Sequence, residues 1–321
     1  MNTTFDIAVI GNGMIGAAAS RYLSASALRV AAIGPSEPDN WQTHNGVFAS
    51  HYDQGRITRI TDPDLVWGLL GKRSIASYAE IEEKSGIRFH YPVGQLRVSP
   101  DSSAAVDSLN KADAVGRQLA APYVRLDRNQ LRQRFPYLHF AEKAEALWEE
   151  GNAGFINPRL LVQAQLAIAE KQGATLIRQE AVRVQRKNGA SIITTQDGKT
   201  IRAAKVLLAN GAYANHILER KLDLRPKAVS VVLAEVGEAE QKRLQDLPTL
   251  IWRLENHPVL ASIYSVPPTA YPDGRVYFKI GGTLRTPVYI HKPEEFLAHF
   301  HSPGNAHEIA ALSEVLLDLL P

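Results

Sequence analysis

The sequence predicts an α/β fold in two parts, one on a mostly parallel sheet and a second, α+β in character, on mostly antiparallel sheet. Three observations predict it. Residues 5–10 read as a short buried strand, Gly11, Gly13 and Gly16 follow it, and residues 14–26 carry the small and apolar residues of a helix packed on a sheet. A strand-rich stretch then interrupts the chain before a very apolar strand, residues 201–209, returns it to the first sheet. Finally, residues 224–282 read mostly as short strands, with Pro272-Asp273-Gly274 as a turn signal.

Strand, glycines and helix in that order form the fingerprint of a Rossmann-like dinucleotide-binding domain. Gly11 allows the tight turn, Gly13 lets the backbone approach a pyrophosphate, and Gly16 permits close packing of helix on strand. The helix start at Met14 and Ile15 offers unpaired N–H groups and a partial positive charge to the phosphates. After the second strand, residues 28–33, such folds present an acidic side chain to the adenosine ribose. Gly34 stands there instead, followed by Pro35, Ser36 and Glu37, so Ser36, Glu37, a backbone group or water must serve the ribose. No arginine follows closely enough to suggest a 2′-phosphate.

Further along, residues 62–86 have helical apolar spacing and a glycine stop at Gly86. Residues 88–98 alternate like strands broken at Pro92 and Gly94. Helices are expected over 101–119 and 127–135, and again over 158–173, leading into a strand at 175–177. Residues 181–185 and 191–195 read as a hairpin, Asp197-Gly198 as a turn, and residues 306–320 as an amphipathic helix. The expected division is a nucleotide domain of residues 1–86 and 150–222, and a substrate domain of residues 87–149 and 223–321.

Composition narrows the function. A chain of 321 residues suits two domains, and its apolar and charged fractions are those of a soluble globular protein. The net charge of +3 is small and not gathered into a run, which argues against nucleic-acid binding. There is no cysteine, hence no disulfide, thiolate metal site, cysteine nucleophile or cysteinyl flavin link. The histidines lack metal-ligand spacing, and no nucleophile elbow or P-loop is present. No apolar run reaches membrane-spanning length and the N-terminus enters a strand directly, so a cytoplasmic location is expected.

Four segments, in order, carry a family resemblance: the fingerprint, SHYDQGRITRI (50–60), GNAGFINPRLL (151–161) and VLLANGAY (206–213). VYFKIGG (276–282) adds a fifth. With them the chain resembles the FAD-dependent amine oxidases of the sarcosine oxidase and D-amino-acid oxidase superfamily. The resemblance implies FAD as cofactor, bound by Gly11, Gly13, Met14, Ile15, Gly16, Ser36, His51, Val182, Ala209 and Gly211. It implies that Arg59 holds a substrate carboxylate, that Arg56 lies against the flavin, and that Tyr264 lines the substrate pocket. It places Lys279 beside the flavin, where a fixed positive charge would stabilise superoxide as the first electron leaves reduced flavin.

Read without the family, the same residues have plainer meanings. Arg56 and Arg59, three apart, converge on one region if their segment turns or is helical, and otherwise are solvated arginines. Lys279 in an apolar strand is either purposeful or an edge lysine whose head reaches water. Tyr264 is equally a buried strand tyrosine. The chain also departs from the family: Tyr52 and Asp53 stand where His and Gly are usual, and Thr283 replaces a pocket histidine. These departures put a sarcosine-like substrate in doubt.

The family's C-terminal Gly-x-Ser-Gly-His-Gly stretch, which packs by the flavin ring, has no match before Pro321. Three readings stand: a truncated protein, a natural variant lacking part of its active site, or a flavin site that another chain completes; in each, an exposed sheet edge and a weak hold on FAD are expected for this chain alone. The expected activity is oxidation of the C–N bond of an amino acid or secondary amine to an imine, with oxygen reduced to hydrogen peroxide. Alternatives are a dehydrogenase using a quinone or protein acceptor, and a non-catalytic nucleotide-binding subunit.

Overall fold

The run VAAI at Val30–Ile33 carries no polar side chain and is buried along its whole length, as the interior of a parallel sheet requires. In the computed structural model, which describes residues 4–40, 42–100, 103–140 and 143–321, this strand lies between Thr4–Ile10 and Thr175–Ile177, parallel to both. Thr200–Leu208 adds to the other side of Thr4–Ile10, again in parallel, and the antiparallel strands Ala190–Thr195 and Ala181–Lys187 complete six. The helices Met14–Ser24 and Pro158–Lys171 pack on each other beside this sheet, where the buried Arg21 guanidinium donates to Gln165.

A second, seven-stranded sheet forms the other core. Its order is Val231–Glu235, Val276–Leu284, Leu260–Ala270, Thr249–Arg253, Gln95–Ser99, Glu145–Glu149 and Tyr123–Leu126. All neighbours are antiparallel except the parallel pair Thr249–Arg253 with Gln95–Ser99. Helix Ala306–Leu319 lays Leu312, Val315 and Leu319 on Leu260, Ile263, Phe278 and Ile280. A three-stranded sheet, Arg56–Thr58, Gly154–Ile156 and His90–Tyr91, joins segments from both halves of the chain.

Local chemistry sets the helix limits. Asp64 accepts from the Trp67 N–H (3.0 Å) to start Leu65–Ser85, and Gly86 ends it at φ +76°. Asp127 and Gln130 make a reciprocal cap on Arg128–Arg134, and Asn157 caps Pro158–Lys171 through the Leu160 N–H (3.1 Å). Of the helix expected over 101–119, Ser103–Gln118 is helical and Asp101 lies outside the described residues.

Three features differ from the sequence reading. Glu238–Arg243, inside the block read as strands, is a short helix, and Pro293–His301 is a further helix. Leu260–Ala270 continues as one strand through Pro267 and Pro268, because a register shift between Val266 and Thr269 takes the prolines out of the ladder. Among the described residues no helix is long and apolar enough to cross a membrane.

Candidate active site

The glycine turn is built to a tolerance that admits no side chain. Gly11 sits at φ +104°, and a Cβ there would lie 2.5 Å from the Ala209 carbonyl oxygen. At Gly16 a Cβ would fall 1.7 Å from the Gly11 oxygen, so helix and turn are in backbone contact. Gly13 caps the helix without any side-chain hydrogen bond, which leaves the first-turn N–H groups open to an anion. Ile15 is 73 % exposed, so its contribution there is its backbone. Around the turn the buried Asn12 Oδ1, His51 Nδ1 and Asn210 Oδ1 have no hydrogen-bond partner among the described residues. Open donors beside unfilled buried polar atoms are what a dinucleotide pyrophosphate with its ribose groups would satisfy, so these residues fit FAD.

The adenosine end is organised by packing. A Cβ at Gly34 would lie 2.8 Å from the Asn12 nitrogen, so the position that ordinarily carries an acid is closed to one by the glycine turn itself. Glu37 is ion-paired to Arg159 (2.5 Å), and the exposed Ser36 receives the Tyr52 hydroxyl on its carbonyl (3.5 Å). Val182 is the extra residue of a bulge between Ala181 and Arg183, which takes it out of the ladder and frees its backbone for a ligand. Gly211 (φ +54°) opens the short turn Gly211–Tyr213, directly after the strand that carries Ala209 to the fingerprint.

Beside the turn lies the loop 50–56. Arg56 donates to the Ser50 carbonyl and approaches Met14 Sδ at 3.8 Å, so its guanidinium spans from the loop to the helix start. Burial, with Arg159 and Arg56 nearby, pulls the His51 imidazole down to about 4, leaving it neutral at ordinary pH. On the opposite wall is the strand Val276–Leu284, in which Lys279 is only 5 % exposed. Its ammonium is ion-paired to Asp53 and donates to the Gly55 carbonyl (2.9 Å). Asp53 also accepts from the Tyr271 hydroxyl (3.2 Å). Burial pushes Lys279 down and Asp53 pulls it back only in part, while the Asp53 carboxyl is held below its usual range by Lys279, against the cost of its burial.

Tyr264 pairs with Gly281 across the sheet, and its ring fills the space where a Cβ at Gly281 would meet it at 2.5 Å. The Lys279 Nζ stands 5.7 Å from the centre of that ring, within cation–π range. Burial pushes the Tyr264 phenol up to about 12. Arg56, Lys279, Tyr264 and His51 therefore share one electrostatic neighbourhood.

Arg59 goes elsewhere. The expected convergence of Arg56 and Arg59 required a turn or helix, whereas Arg56–Thr58 is a strand, in which alternate side chains face opposite ways. Arg59 is ion-paired to Asp62, whose carboxylate also lies 3.6 Å from the buried Arg97. The Arg59 Nε is buried and has no hydrogen-bond partner among the described residues. Asp53 and Tyr271 around Lys279, and Asp62 and Arg97 around Arg59, are partners that the sequence reading did not assign. The one signal was Asp53 itself, a charge in a position where the family pattern has glycine.

Residues 6–321 match the family described as FAD dependent oxidoreductase. The chain belongs to this family. It is accordingly an FAD-dependent oxidoreductase. Monomeric sarcosine oxidase of Streptomyces avermitilis is 30 % identical over 336 residues, covering 100 % of this chain and 79 % of that protein. N-methyl-L-tryptophan oxidase of Yersinia pestis is 23 % identical over 216 residues, 67 % of this chain and 55 % of that protein. The fold is shared with NikD, an amino acid oxidase of nikkomycin biosynthesis (TM-score 0.71, 20 % identity, 99 % of this chain and 78 % of that one). It is shared too with L-proline dehydrogenase from P. horikoshii (TM-score 0.72, 18 % identity, 100 % of this chain and 78 % of that one).

Proposed function

We propose that this chain oxidises the C–N bond of an amino acid or a secondary or N-methyl amine to an imine, with oxygen reduced to hydrogen peroxide. The observation that carries the reading is the buried Lys279, held against the loop that bears Arg56 and faces the glycine turn. Similarity to a sarcosine oxidase along the whole chain supports the substrate class. Bound FAD supplies a two-electron acceptor that takes a hydride equivalent from carbon and passes both electrons to oxygen.

The atoms balance simply. The amine loses hydrogen with two electrons from carbon and one proton from nitrogen, leaving the imine. Oxygen gains two electrons and two protons to become hydrogen peroxide. Water then divides the imine into a carbonyl compound and an amine.

The chain's own residues bind and orient. The unpartnered Nε of Arg59 is a ready donor for a substrate carboxylate, in competition with Asp62 for the rest of the fork. Tyr264, half-buried and uncharged at neutral pH, gives the pocket an aromatic wall and a neutral hydroxyl. Among the described residues the hydrogen-bond contacts of Arg56 are a carbonyl and a thioether rather than a carboxylate, so its charge is available to the cofactor. A second reading, electron transfer to a quinone or protein instead of oxygen, is favoured by one observation: the charge of Lys279 is matched by Asp53.

The purified protein should absorb as an oxidised flavoprotein and bleach anaerobically with N-methyl amino acids or other candidate amines. In air it should release peroxide, and Lys279→Met should lose most of that release. Bleaching without peroxide supports the dehydrogenase; a colourless protein that takes up no FAD overturns both.

A further inference from the structure

Asp53 and Lys279 are 226 residues apart, yet their ion pair links the loop to the strand Val276–Leu284. The loop that carries Asp53 is pressed on the opposite wall. A Cβ at Gly55 would meet Val266 at 2.6 Å, and the Gly55 carbonyl is the second acceptor of Lys279 Nζ. Tyr271, from the turn between Leu260–Ala270 and the strand that carries Lys279, donates to the other Asp53 oxygen. The carboxylate is thus fixed on both oxygens, and the ammonium is fixed on it.

Among the described residues, four charged or titratable groups stand around Lys279 and its partner. Asp53 comes from the loop, Arg56 from the adjoining strand, Tyr264 from the neighbouring strand of the sheet, and Tyr271 stands behind Asp53. Asp53 is the anion in this set. A cation in contact with a fixed anion acts at a distance as a dipole, whose field falls off faster than that of a free charge. Electrons arriving on oxygen feel a free ammonium strongly and a compensated one weakly.

We propose that Asp53 is a positioning residue for Lys279, fixing the ammonium in place and cancelling its charge, and that this pairing sets how fast electrons pass from the reduced cofactor to oxygen. The proposal rests on the reading of Lys279 as the residue beside the cofactor. The step concerned moves two electrons from reduced FAD to oxygen, which takes up two protons and leaves as hydrogen peroxide.

The test uses the FAD-loaded protein and its Asp53→Asn, Lys279→Met and double variants. Two quantities are measured from pH 6 to 9: the midpoint potential of bound FAD, and the rate at which reduced FAD reacts with oxygen. Asp53→Asn should raise the potential and speed the oxygen reaction on the order of tenfold at the acid end. Without Asp53, burial and Arg56 both favour the neutral amine, so the gain over wild type should fade as pH rises. Lys279→Met and the double variant should match each other in both quantities.

Tyr271→Phe removes a hydrogen bond from a neutral donor and keeps the ion pair, so it should move the potential far less than Asp53→Asn does. Asp53→Glu should restore the wild-type values. Should Asp53→Asn fail to retain FAD, the same measurements on Asp53→Ser decide. If Lys279→Met slows the oxygen reaction but Asp53→Asn changes neither potential nor pH profile, Asp53 is structural and the proposal falls. A shift in Tyr271→Phe as large as that in Asp53→Asn points to packing and overturns it equally. If Lys279→Met itself changes nothing, the reading of Lys279 fails first and takes the proposal with it.

Discussion

The Glu149 carboxylate accepts both the backbone N–H (2.7 Å) and the hydroxyl (2.6 Å) of Thr61, and its other oxygen takes the Ile60 N–H (2.8 Å). Glu149 is 1 % exposed, so three donors in the segment just past Arg59 depend on one buried anion from the second sheet. Glu149→Ala should therefore lower stability by about 3 kcal/mol, since it orphans buried donors rather than removing a free pair. Urea denaturation of wild type and variant checks this, with Glu149→Gln expected to lose roughly half as much.

Supplying the missing ribose acid should fail. A side chain at Gly34 collides with the Asn12 nitrogen at 2.8 Å, in the turn that faces the pyrophosphate. Gly34→Asp should weaken FAD retention and cost about 1–3 kcal/mol of stability from overpacking. FAD released on gel filtration and the denaturation midpoint are the two readings. Tighter retention in Gly34→Asp would mean that the ribose needs that carboxylate after all.

His51 gives a pH dependence of known sign. Its imidazole titrates near 4 in the folded chain, mainly because it is buried, and near 6.5 when unfolded. The folded pKa is the lower of the two, so stability present above about 6.5 is lost as pH falls toward 4, by roughly 2 kcal/mol. His51→Asn should lack this loss. Urea midpoints of both proteins between pH 7.5 and 4.5, in the absence of FAD whose pyrophosphate would favour the imidazolium, should converge toward the acid end.

Arg59 and Arg56 should separate kinetically, because they enter different networks. Arg59→Lys keeps the charge near Asp62 but loses the planar fork, so affinity for a carboxylate-bearing substrate should drop on the order of tenfold to a hundredfold. The visible spectrum of bound FAD should be unchanged. Perturbation of that spectrum by a simple carboxylate, titrated into wild type and variant, measures the binding directly.

What could be read from the sequence followed the range of the interactions involved. The glycine turn and the Gly86 stop act within a few residues, and the structure has both where the pattern puts them, whereas the Asp64 cap starts its helix at Leu65 rather than at residue 62. Glu238–Arg243 and Pro293–His301 were missed, although Gly237 before an acidic first turn and Pro293 with Glu295 are ordinary helix starts. The strand pattern of residues 224–282 hides the first of them. Arg56 and Arg59 were legible as residues but not as directions, since a spacing of three means one thing in a helix and the opposite in a strand. The Asp53–Lys279 pair has no local signature at all, because its two members meet only after both sheets have formed.

That separation has a consequence for how the protein is made. Asp53 leaves the ribosome 226 residues ahead of its counter-ion, and the Gly55 carbonyl waits as long for the same ammonium. The strand Thr200–Leu208, which closes the nucleotide sheet, is also synthesised late. Until residues 260–284 arrive the acidic loop must stay hydrated, because an unpaired carboxylate is costly to bury. Assembly of the Asp53–Lys279 neighbourhood thus waits on those residues, long after the glycine turn has been made.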